Sequence, residues 1–168
     1  MSETALQPQT TNSSPRASLG IVAWYWIPAL AWMALVLFAS SDAFSAKHTG
    51  DILHAVLAWI FGYVDALTFA TIHHLIRKSA HFTEYAILSA LWFRAVRLGL
   101  PAVWQARWAL LGLAVSLSVA ILDEFHQSFV PSRTSSGYDV LLDFCGALLA
   151  QLLIWCALRR RELIPQVG

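Results

Sequence analysis

A chain of 168 residues fits a single domain, but its composition sets aside the ordinary soluble kind. Hydrophobic residues make up 58% and charged residues only 12%, about half the soluble average, which marks the membrane class. With a net charge of +1 and no basic stripe, nothing in the chain suits a nucleic acid. Cys145 and Cys156 fall in one expected helix, about 16 Å apart, too far for a disulfide.

Residues 1–18 are polar, rich in Ser, Thr, Gln, Asn and Pro, and read as a disordered cytoplasmic tail. Residues 19–40 carry no charge and are long enough to cross a bilayer, with Pro28 a point of kinking. A cleaved signal peptide competes for this stretch, but its apolar part would be too long and Arg16 is its only positive flank. Beyond it the pattern weakens. Residues 52–63 are apolar, with Trp59 and Phe61, yet Asp51 and Asp65 bracket them. Too short for a span, they read as an interfacial or re-entrant helix. Residues 68–76 read as another short helix leading into Arg77, with His73 and His74 as interfacial polar residues.

The second span is expected at 79–98, the third at 104–123 and the fourth at 139–158. Gly112, Ser116 and Ala120 recur every four residues in the third, and Gly146 and Ala150 repeat that spacing in the fourth. Such small-residue stripes let another helix approach closely. The fold class is therefore all-α: a polytopic membrane protein, a four-helix transmembrane bundle with short interfacial helices between spans one and two. One transmembrane domain, 19–158, lies between the N-terminal tail and a basic tail, 159–168.

Orientation follows from the basic residues. Arg16, Arg94, Arg97, Arg107, Arg159, Arg160 and Arg161 fall on one side, and Lys47, Arg77, Lys78 and Arg133 on the other. Seven against four favours cytoplasmic termini, in a bacterial inner membrane. Trp24, Trp26, Trp92, Trp104, Trp108 and Trp155 fall near the inner ends, as an aromatic belt would.

Two polar clusters interrupt this apolar chain. The first is RKSAHFTEY, 77–85; the second is DEFHQSFVPSRTSSGYDVLLD, 123–143. His81 and Glu84 are three apart, and Asp139 and Asp143 four apart, so each pair shares a helical face. With four spans, His81, Glu84, Asp123, Glu124, His126, Asp139 and Asp143 meet at one outer-leaflet level. Arg133 lies on the loop above, able to grip an anion by two parallel bonds. Ionisable groups are costly in hydrocarbon, so their convergence invites a functional reading. Pro131 shapes the loop and stops the third helix; Gly137 serves the turn into the fourth.

These residues carry a resemblance. RKSAHFTEY followed by DEFHQSFVPSRTSSGYDVLLDFCG is similar to the VanZ-like family pattern: K-x-x-H-x-x-E-Y, then D-E-x-x-Q-x-F-x-P-x-R, then D-x-x-x-N-x-x-G. The matching positions are Lys78, His81, Glu84, Tyr85, Asp123, Glu124, Gln127, Pro131, Arg133, Asp139 and Gly146. Asp143 departs from it, standing where the family more often has Asn. The resemblance implies a small bacterial inner-membrane protein. The founding member is linked to low-level resistance to the glycopeptide teicoplanin, and no biochemical activity comes with the family name.

The residues support three readings. In the first, His81, Glu84, Glu124 and Asp139 perform acid–base catalysis, with a glutamate as acid or base and His81 as its partner. In the second, Lys78, Tyr85, Asp123, His126, Gln127, Arg133 and Asp143 bind an anionic envelope lipid or precursor. In the third, the charges form a structural network between helices. His81, Glu84, His126 and Asp139 could offer metal ligands, but no strong metal spacing is present and none is assigned. Cofactor and oligomeric state stay open.

Overall fold

The computed structural model describes residues 19–39, 46–100, 103–129 and 136–163, and these residues are all-helical outside short connections. Five helices follow in order: α1 (Leu19–Ala39), α2 (Ala46–Phe61), α3 (Ala66–Arg97), α4 (Ala106–Gln127) and α5 (Gly137–Leu163). α1, α4 and α5 are long and apolar enough to cross a membrane. A fourth crossing arises if α2 and α3, bent by 118° at the break between them, count together. The expectations for the tail 1–18, for Pro131 and Arg133, and for the last residues of the basic tail lie outside the described residues.

α3 is the hub: α1, α4 and α5 all pack against it, whereas α2 touches it only lightly. Small residues make the close packing possible, along the stripes legible in the sequence. A β-carbon on Gly146 would run into the carbonyl of Phe82, and one on Gly112 would sit 3.0 Å from the carbonyl of Ser89. Both glycines thus bring their helices within backbone contact of α3.

Several boundaries differ from expectation: α2 starts earlier, at Ala46, and α5 runs on from 158 to Leu163. Residues 68–76 are not a separate helix but the first turns of the 32-residue α3. That stretch contains no Gly or Pro, and a pair of basic side chains does not interrupt the backbone ladder. Asp65 caps the helix, accepting from the backbone N–H groups of Leu67 and Thr68 at 3.1 and 3.0 Å. α4 continues past Asp123 to Gln127, so both acids that were expected at its end lie inside its final turns. Pro28 sits within the unbroken α1.

The interior is layered. Val36, Tyr85, Leu88, Val119 and Ala120 form one buried apolar cluster, and Phe93, Trp108, Ala109 and Leu158 form another. Trp108 therefore belongs to the core rather than to an interfacial belt, its ring edge-on to Phe93 at 6.2 Å. Between these clusters lies a polar layer. Gln151 donates to the carbonyl of Ser89 at 3.1 Å and to its hydroxyl at 2.8 Å, joining α5 to α3.

The two ends differ in charge. Arg94, Arg97, Arg107, Arg159 and Arg160 gather where α3 and α5 end and α4 begins. Arg94 donates to the carbonyls of Trp24 and Tyr25 and lies 4.6 Å from the Tyr25 ring centroid, tying α1 to this end. Gly99, at φ 73°, turns the chain beside Tyr25; a β-carbon there would fall 2.5 Å from the tyrosine oxygen.

Candidate functional site

The acid-rich end is built from three helices. α3 runs Lys78, His81 and Tyr85 along one face at helical spacing; α4 adds Asp123, Glu124 and Gln127; α5 adds Asp139 and Asp143. These faces meet because Gly146, three residues after Asp143, draws α5 onto α3 at Phe82, next to His81.

The outermost pair is Lys78 with Asp139, a salt bridge between α3 and α5 whose side chains keep some exposure. Beneath it, His81 Nδ1 lies 3.8 Å from Asp143 Oδ1. Asp143 is fully buried, and neither carboxylate oxygen accepts a hydrogen bond from the described residues. Asp123, 1% exposed, accepts from Gln127 Nε2 at 3.0 Å and from the Tyr85 hydroxyl at 3.5 Å through Oδ2 alone. Its Oδ1 has no such donor among the described residues. Glu124 accepts from the backbone N–H of Ser136 at 2.8 Å, fastening the residue before α5 to the end of α4.

Glu84 is half-buried on α3, and its carbonyl accepts from the Trp32 indole at 3.0 Å, which brings α1 against this end. His126 is exposed, unlike its neighbours Asp123, Glu124 and Gln127, so the bundle does not gather it with the others. Arg133 lies outside the described residues.

Two recesses open at this level. One, of about 30 Å³, is lined by His74, Arg77, Lys78, His81 and Asp139. The other, of about 230 Å³, lies between α3 and α5 and is lined by Leu75, Lys78, Ser79, Phe82, Thr83 and Leu142. Lys78 lines both. His74 and Arg77 carry no site role in the sequence reading, although their spacing to Lys78 and His81 places all four on neighbouring rows of one helix. Ser89 and Gln151 were missed as well. Ser89 stands four residues beyond Tyr85 and Gln151 eight beyond Asp143, so helical periodicity was the available signal.

Burying a carboxylate without full compensation costs several kcal/mol, and a membrane interior makes the cost harder to offset. A site that holds two such groups at the meeting of three helices can accept hydrogen bonds, hold a cation or move a proton. Among the described residues, no three of His, Cys, Asp and Glu stand together as a metal would need.

A chain whose described residues are helical, with membrane-length apolar helices and a buried polar cluster at one end, is a polytopic membrane protein. Residues 25–159 match the VanZ/LLP1 family model, nearly the whole chain, and the protein belongs to that family. Comparison with curated proteins gives no match, and comparison with solved structures gives none either.

Proposed function

We propose that the acid-rich end binds the phosphate-bearing headgroup of an anionic cell-envelope lipid or precursor at the outer face of a bacterial inner membrane. The observation that carries this reading is the double role of Lys78. Lys78 lines a polar recess with His74, Arg77, His81 and its ion-pair partner Asp139, and also a mixed groove whose apolar walls are Leu75, Phe82 and Leu142. An amphiphile presents the same two chemistries side by side.

The membrane register supports it. Arg77, Gln127 and Asp139 each stand twenty residues from Arg97, Arg107 and Arg159 along their own helices. Twenty residues of helix rise about 30 Å, the thickness of the hydrocarbon core. In this arrangement the crossing of α3 starts at Arg77, α1 supplies the fourth crossing, and α2 with the start of α3 forms an interfacial hairpin. His81, Asp123 and Asp143 each lie four residues inside the same level, about 6 Å deep. The excess of arginine at the opposite end favours cytoplasmic termini.

Within this site we assign proton transfer on the bound headgroup to His81, Glu84, Glu124 and Asp139. Tyr85, Asp123, Gln127 and Asp143 hold its donors, and Arg133, between α4 and α5 in the sequence, takes an anionic oxygen pair. A link to teicoplanin resistance belongs to the same proposal. The decisive experiment compares wild type with Glu84→Gln for teicoplanin susceptibility and membrane abundance in one host. Lost protection at normal abundance supports the reading; protection unchanged by the variant overturns it.

A purely structural network is the competing reading, favoured by the Lys78–Asp139 tie between α3 and α5. It requires abundance to fall together with activity in that same comparison.

A further inference from the structure

Toward the other end of the bundle, α4 and α5 leave a groove of about 420 Å³. Trp104, Ala109, Leu113, Leu148, Leu152 and Trp155 line it, so its walls are almost wholly apolar. On α5 its lining runs from Leu148 to Trp155, seven residues or about 10 Å. Its volume lies in the range of ordinary ligand sites.

Two arginines neighbour residues that line this groove. Arg107 is exposed next to Ala106, which lines the groove, and its guanidinium sits 5.2 Å from the Trp108 ring centroid. Arg107 is further oriented by donating Nε–H to Gln105 Oε1 at 2.7 Å. Arg159 is exposed 5.3 Å from the ring centroid of Trp155, itself a groove wall. Aromatic faces hold both guanidinium planes in place without neutralising them. α5 carries one acid near this end, Glu162 in its last turn, against Arg159, Arg160 and Arg161.

We propose that this groove is a specific phospholipid site: one acyl chain lies between α4 and α5, and Arg107 and Arg159 hold an anionic headgroup. Charge complementarity selects the occupant. A zwitterionic phospholipid could fill the groove equally well but would gain little from two fixed guanidinium groups, whereas an anionic one gains from each basic residue near the surface. Planar guanidinium forks suit phosphate oxygens better than ammonium groups do.

The test is native mass spectrometry of the full chain in mild detergent, with phosphatidylglycerol and phosphatidylcholine of matched chain length as probes. One phosphatidylglycerol should be retained per chain, preferred over phosphatidylcholine by roughly tenfold. Arg107→Gln with Arg159→Gln should level the two lipids, while Leu110→Trp, which narrows the groove from its exposed rim, should reduce both. Equal retention by the wild type, or a preference that survives the double variant, overturns the proposal.

A second measurement needs no arginine variant. Brominated phosphatidylglycerol should quench tryptophan emission more than brominated phosphatidylcholine at equal mole fraction, and Trp155→Phe should remove most of the difference. Equal quenching by the two lipids counts against a selective site.

Discussion

Both ends of the bundle gather ionisable residues, yet they treat them oppositely. At the basic end the charges are arginines on long stems, lying over Trp24, Tyr25, Trp108 and Trp155 at the helix ends. Such side chains reach water from within a helix end, so their position costs little. At the acidic end two carboxyl groups sit on short stems: Asp123 and Asp143 cannot reach the surface from where their helices place them, and both are buried. Location within a membrane protein therefore says less than reach. A charge that can snorkel marks an interface, and a short one that cannot is held there by its partners or by a task.

The sharpest way to break this contrast is to part the helices that create it. Gly146→Val sets a branched side chain against the Phe82 carbonyl, so α5 must withdraw from α3. Because the obstacle is backbone, relief is difficult, and a loss of about 3 kcal/mol or more is expected. Denaturant titration of the purified protein in detergent reads it, and near-wild-type stability would mean that α3 and α5 are not packed as described.

Asp143→Asn tests the buried end with little change of shape. If the acid is there for a task, the variant should keep wild-type abundance and lose most of the protective or lipid-binding activity. Asp143→Leu should remain folded too, since an apolar side chain of similar volume relieves the burial cost. Full activity in either variant would reduce Asp143 to a tolerated departure.

Arg133 distinguishes a gripping arginine from a charge balancer. Lysine keeps the charge and loses the planar fork, so Arg133→Lys should be nearly as damaging as Arg133→Ala at normal protein level. Retention of most activity by the lysine variant would sink the two-bond role.

A smaller experiment sharpens which end faces out. A cysteine at Ser135 should react with a membrane-impermeant thiol reagent in intact cells, and one at Ala102 should not. The reverse pattern would invert the topology and leave the packing untouched. Smallest of all is Asp65→Ala: loss of the cap at the start of α3 should cost about 1 kcal/mol, visible as a modest fall in the unfolding midpoint.

Much of this architecture was legible in the residues alone. An uncharged stretch of membrane length announced α1, and long apolar stretches interrupted by few charges announced α4 and α5, because the bilayer rewards apolar length whatever the neighbours are. The small-residue stripes at Gly112 and Gly146 announced close packing, since only such residues allow backbones to meet. The two motifs around His81 and Asp123 identified the family and named nearly every residue at the acid-rich end. The continuity of α3 was harder to see, because Arg77 and Lys78 resemble the border of a span while leaving the helix backbone intact.

Pairing and depth were beyond the sequence. Nothing in it says that Lys78 takes Asp139 while His81 falls beside Asp143, or that Gln127 and Tyr85 share one oxygen of Asp123. Nor does it separate exposed His126 from buried Gln127, one residue along the same helix. Ser89 and Gln151 are 62 residues apart in the chain and meet only because α5 returns along α3. Helical period and apolar length are properties of one segment, so a single chain reading recovers them. Partners depend on the rotation and rise of one helix against another, which the packing of Gly112 and Gly146 onto α3 decides in three dimensions.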